Sequence, residues 1–345
     1  MIRRGGIHSD DHAGFDRPRR RSRPRTKDRP DYSAAALGMV MTIDRGRYRC
    51  LLLDEADQPG PDAVPVTAMK ARNLGRRSVI VGDRVRLVGD LSGADGSLAR
   101  IVEVTERDTV LRRTADDDDP YERPIVANAD QLVIVTALAD PPPRTGMIDR
   151  ILVAGYDAGL EPLLCLTKAD LASPDDLVAA YTPLGVPIVV SEPGADLAEL
   201  RQLLSGRISV FIGHSGVGKS TLVNALIPGL DRAVGVVNEV TGRGRHTSTS
   251  AIALRLPELA DGEPGGWVID TPGVRSFGLS HVTPADVIKA FPDLLEFTAD
   301  CPRGCEHGFD AVDCGLDAAV QAGELPRARV DSFRRMVAAR ALPYE

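Results

Sequence analysis

Apolar and polar positions along the 345-residue chain change their rhythm twice. Between residues 37 and 104 the apolar positions come in short runs, 37–43, 47–53, 84–88 and 98–104, divided by turn formers such as Gly82-Asp83 and Gly93-Ala94-Asp95-Gly96. Several short strands within about seventy residues predict a small β-barrel of the oligonucleotide-binding (OB) kind, and an SH3-like or other barrel fits the same pattern. Past residue 120 apolar runs alternate with helical spacing. Runs at 132–138, 163–166, 187–190, 208–212, 251–256 and 267–269 predict strands. Residues 147–156, with Ile148, Ile151 and Leu152 on one face, 196–204 and 221–226 predict helices. That alternation predicts a doubly wound α/β domain. Near the end, 316–322 and 326–342 predict a small helical domain.

Charge divides the chain differently. Residues 1–33 hold ten Arg or Lys against five Asp, a balance of +5, so the remaining residues carry −12 of the net −7. A basic arm of this kind is expected to be disordered, and either grips polyanions or is a solvated tail. The acidic run Asp116 to Asp119 reads as a linker. The expected organisation is therefore an arm over 1–33, an RNA-binding barrel over 34–115, an α/β domain over 116–284 and a helical domain over 285–345. Lys70, Arg72, Arg76 and Arg77 gather where such a barrel would meet nucleic acid. No run of eighteen apolar residues exists and the first residues are charged, so a cytoplasmic protein is expected.

The strongest local signal follows the run 208–212. Gly213-His214-Ser215-Gly216-Val217-Gly218-Lys219-Ser220-Thr221 matches G-x-x-x-x-G-K-[ST] between a strand and a helix. Such a loop wraps phosphate oxygens with backbone N–H groups, Lys219 reaches the outer phosphates and Ser220 ligates Mg²⁺. Asp270-Thr271-Pro272-Gly273 follows about fifty residues later, where Asp270 can face Mg²⁺ and the Gly273 N–H the γ-phosphate. Between them, Gly242 to Thr249 is polar and free of apolar anchors, as a switch loop should be, with Thr247, or failing it Thr249, as a further Mg²⁺ ligand. Upstream, Thr167-Lys168-Ala169-Asp170 ends a strand: Asp170 can accept from the N1 and N2 donors of guanine, and Lys168 can lie along the ring. Cys301, Cys305, His307 and Cys314 crowd together in a pattern that points to structural zinc rather than disulfides.

Taken together these motifs resemble those of the RsgA family of circularly permuted small-ribosomal-subunit biogenesis GTPases. T-K-A-D stands in the place of N-K-x-D, Ser191 where the fifth GTPase motif has its serine, and both precede the phosphate loop. The run G-R-G-R-H-T, the stretch 125–131, a barrel in front and a Cys/His site behind complete the likeness. The resemblance implies a monomeric GTPase with one zinc per chain and Mg²⁺ with GTP, stimulated by the 30S subunit and bound to its 16S rRNA. Two departures stand out. Thr167 has one hydroxyl where an asparagine amide has separate donor and acceptor, which predicts weaker guanine binding. The metal set has one residue shifted between its outer gaps. Val274 stands where Ras-like enzymes carry the water-orienting glutamine, and the resemblance points to His246 in its stead. A P-loop ATPase or kinase, and an RNA-binding module with a non-catalytic nucleotide switch, are the other readings.

Overall fold

The computed structural model describes residues 31–54, 59, 63–75, 79–114, 121–230, 251–260, 262–274, 277–279 and 282–339. The basic arm to residue 30, the acidic linker, Arg76, Arg77 and the switch stretch 242–249 lie outside the described residues.

Five strands build the barrel: β1 (Ala36–Asp44), β2 (Arg47–Leu52), β3 (Pro65–Lys70), β4 (Arg84–Gly89) and β5 (Ala99–Val104). They pair in the order β1-β2-β3-β5-β4, and β4 returns to β1, which closes the sheet. Alternating inward residues Val40, Cys50, Val66, Ala68, Val85, Leu87 and Ile101 fill its interior. The apolar rhythm did not single out β3. Its first residue is Pro65, which suits a strand start because it has no N–H to offer the ladder. Lys70, expected in a loop, ends this strand.

A two-stranded ribbon follows, β6 (Val110–Arg113) with β7 (Arg123–Ala127). The α/β sheet then runs through β8 (Gln131–Ala137), β9 (Glu161–Thr167), β10 (Ile188–Val190), β11 (Ile208–Gly213), β12 (Ile252–Arg255) and β13 (Trp267–Asp270). Their order is β10-β9-β8-β11-β13-β12, all parallel except β12. All seven residues of β8 are buried, as expected of a central strand covered on both faces. Leu132 and Ile134 join one core with α1 (Thr145–Asp157), while Val133 and Val135 join another with α3 (Ala198–Leu204) and α4 (Lys219–Leu226). Between β9 and β10 runs α2 (Asp175–Tyr181).

The barrel and the α/β sheet are continuous. β1 leaves β4 at Met39, passes an irregularity between Val40 and Thr42, and pairs Thr42 with Ile252 of β12. An extra residue of this kind bends a strand so that it can serve two neighbours. The C-terminal helices Gly315–Ala322 and Arg327–Ala338 pack Leu316, Val330, Phe333 and Met336 into the same core as α1.

Candidate functional site

Because β9, β10, β11 and β13 run parallel, their carboxyl ends lie along one edge of the sheet, where open α/β sheets bind ligands. Thr167, Ser191, Gly213 and Asp270 all stand at those ends. Motifs scattered over a hundred residues of sequence thus meet in one place.

The loop joining β11 to α4 is shaped by close approach. A Cβ on Gly213 would meet the Val135 carbonyl at 2.4 Å, so only glycine fits beside the central strand. Gly218 takes φ +87 immediately before α4, a conformation that glycine adopts without strain. His214 turns its Nδ1 back to the Ser215 carbonyl at 2.8 Å. Ser215, Gly216, Ser220 and Thr221 are exposed, while Val217 is buried.

Four hydrogen bonds stitch residues 270–274 to β11 and the start of α4 on either side of this loop. Thr271 donates its hydroxyl to the Phe211 carbonyl at 2.7 Å, Val274 donates its N–H to the Gly213 carbonyl at 3.1 Å, and the buried Lys219 ammonium bonds the Asp270 carboxylate and the Thr271 carbonyl. The upstream motif closes the other side. Thr167 donates to the Val217 carbonyl at 2.6 Å. Lys168, in the left-handed region at φ +59, bonds the Asp140 carbonyl. Ser191 donates its N–H to the Leu166 carbonyl at 2.7 Å and receives Ala169 N–H at 3.2 Å. Asp170 stays exposed at the rim. The sequence points Thr167 towards a base, and its bond to the Val217 carbonyl has no residue-type signature. His246, Thr247 and Thr249 lie outside the described residues.

The second cluster is separate. His307 Nδ1 lies 3.7, 3.4 and 3.6 Å from the sulfurs of Cys301, Cys305 and Cys314, and all four donor atoms fall within 4.8 Å of one another. Tetrahedral bonds of roughly 2.3 Å to sulfur and 2.05 Å to nitrogen would separate S and N by about 3.6 Å. These residues fit a zinc ion despite the shifted spacing. Gly315 N–H donates to the Cys301 sulfur at 3.1 Å. Burial pushes the Cys301 thiol up to about 11, and burial with the nearby Arg334 guanidinium holds His307 below its ordinary range. A cation would offset the cost of thiolates there, since the ligating form is the charged one. Arg334, which carries no motif, bonds the His307 carbonyl at 3.1 Å and clamps Asp317 with two bonds of 2.7 and 2.8 Å. In the sequence its one sign is a place at helical spacing from the apolar Val330 and Val337.

Among the described residues no helix is long and apolar enough to cross a membrane. The family model for the RsgA GTPase matches residues 104–280. Small ribosomal subunit biogenesis GTPase RsgA 1 of Vibrio vulnificus is 38% identical over 274 residues, covering 76% of this chain and 74% of the relative. RsgA of Azotobacter vinelandii is 39% identical over 270 residues, covering 76% and 75%. The crystal structure of YjeQ from Thermotoga maritima aligns with a TM-score of 0.62 at 26% identity over 90% of this chain and 99% of that one. YloQ, described as a circularly permuted GTPase, shares the fold with a TM-score of 0.60 at 23% identity over 91% and 98%. With the Thr167–Asp170 turn ahead of the glycine loop in sequence and bonded to it through Thr167 and Val217, the chain belongs to the RsgA GTPase family and is a GTP-hydrolysing enzyme.

Proposed function

We propose that this GTPase binds the small ribosomal subunit and its 16S rRNA, acts as a late assembly factor in the cytoplasm, and is stimulated by the subunit. The relatives are named small ribosomal subunit biogenesis GTPases, and a closed barrel in front of the α/β domain suits a surface of the oligonucleotide-binding type. The observation that carries the nucleotide reading is the Thr167–Val217 hydrogen bond, which holds the T-K-A-D turn against the phosphate loop.

In this reading Asp170 accepts from the guanine edge, Lys168 covers the ring, and Ser191 supports that turn. Backbone groups of 213–218 cradle the phosphates, with Lys219 on the outer ones and Gly273 sensing the last. Ser220 and Thr247, or Thr249, would hold Mg²⁺, with Asp270 facing it. The ion neutralises charge on the phosphate oxygens. Phosphate oxygens would compete with Asp270 for the Lys219 ammonium, which would free the Asp270 carboxylate to help hold the ion. Val274 is buried and apolar, so it cannot orient the attacking water, and His246 takes that task. Zinc at Cys301, Cys305, His307 and Cys314, one per chain, is structural because four protein ligands leave no open position. The protein acts as a monomer.

Cosedimentation with isolated small subunits tests the reading. The chain should pellet with subunits in the presence of a GTP analogue and leave them with GDP. Equal pelleting in both states, or none, would overturn it.

A further inference from the structure

The chain leaving Gly273 reaches a junction at Phe277 and Gly278. Gly278 exchanges both backbone bonds with Thr114, just past β6, at 3.1 and 3.3 Å. Phe277 is fully buried, and its carbonyl accepts from Arg150 Nε at 2.9 Å. Arg150 lies on α1 and is 2% exposed. Its Nη1 also donates to the Ala339 carbonyl, just beyond the C-terminal helix, at 2.6 Å. The neighbouring Asp149 faces Arg335 of that helix at 3.3 Å. From the same helix Arg334 bonds the carbonyl of His307.

A buried guanidinium is costly unless its N–H groups are bonded, and an aliphatic side chain could fill the same space at less cost. What Arg150 adds is two donors in a fixed plane, aimed at backbone carbonyls of two different segments. One is the exit of the Asp270–Gly273 turn and the other is the end of the helix that backs the Cys/His cluster. We propose that Arg150 is a positioning residue for GTP hydrolysis: it ties the exit of that turn to the C-terminal helix, so that a change in the turn on loss of the γ-phosphate reaches the Cys/His module. The inference rests on the reading of the site as a GTP-sensing one.

The test uses the full chain with Arg150→Met, and with Arg150→Lys, which keeps the charge but loses the planar set of donors. The KM for GTP should stay within about two-fold while subunit-stimulated kcat falls by about ten-fold or more in the methionine variant and by less in the lysine variant. Amide exchange over 327–338 should differ between GDP and GTP-analogue states in the native protein and lose that difference in Arg150→Met. Packing loss alone would lower the melting temperature without splitting kcat from KM. If Arg150→Met does not fold, Arg150→Lys carries the test, and an unchanged kcat in it overturns the proposal. Native stimulation with an unaffected variant, or an intact exchange difference, overturns the Arg150 assignment alone. A native protein without subunit stimulation overturns the functional reading as well.

Discussion

Thr167 gives its hydroxyl hydrogen to the carbonyl of Val217 at 2.6 Å, with the Thr136 carbonyl 3.2 Å away. One side chain therefore joins the strand that ends in Lys168 and Asp170 to the middle of the phosphate loop. Thr167→Val keeps the shape and leaves a buried carbonyl without its donor, a change worth about 1–2 kcal/mol of stability. Denaturant unfolding and GDP titration should both show a loss, and a variant equal to wild type in both would remove the tie from the argument. Thr167→Asn, which adds a separate acceptor, should bind guanine nucleotides more tightly.

Asp170 is exposed at the rim, so its replacement should act on the base and not on the fold. Asp170→Asn is expected to weaken GTP and GDP by about ten-fold or more while leaving the weaker ATP competition unchanged. Equal losses for both purines would refute the base-recognition assignment.

His246→Ala should keep GTP binding and lose most hydrolysis, by about a hundred-fold, as expected for a residue that acts only on the attacking water. Single-turnover rates measure it. Unchanged turnover would take the histidine out of the mechanism.

Removing metal should loosen the C-terminal region. Chelation, or Cys314→Ser, is expected to release about one zinc per chain and to lower the melting temperature by at least about 5 °C. Elemental analysis of the purified protein provides the counter-test, since a chain that carries no zinc after purification from zinc-replete cells would refute the site.

Asp149 predicts a pH effect. Burial raises its carboxyl above the ordinary 3.8, outweighing the opposite pull of Arg335 and Tyr181. The folded state then holds this proton more tightly than the unfolded chain, so the group's contribution is full at low pH and is lost as pH rises through its folded value. Asp149→Asn should flatten the stability curve above about pH 4. A curve of unaltered slope would exclude the group.

Much of the site was legible because glycine loops and strand-end carboxylates have local signatures. Asp270 and Asp170 could each be placed at a strand end and Lys219 at the close of the glycine loop from the chain alone, and the Cys/His set could be grouped by proximity in sequence. Other features depend on backbone atoms far along the chain. The Val217 carbonyl that Thr167 reaches, the Phe277 and Ala339 carbonyls that Arg150 reaches, and the His307 carbonyl behind Arg334 have no residue-type signal. β3 escaped for a different reason: its six residues start with a proline and carry only two buried side chains, Val66 and Ala68, too weak an alternation to stand out.

The pairing of Thr42 with Ile252 also bears on how the protein behaves in a crowded cell. The barrel is closed, β1 meets β12 at that one pair, and the far margin of the α/β strands is the three-residue β10. A margin that short gives a neighbouring chain almost nothing to extend, so on that side the sheet is guarded against edge-to-edge pairing.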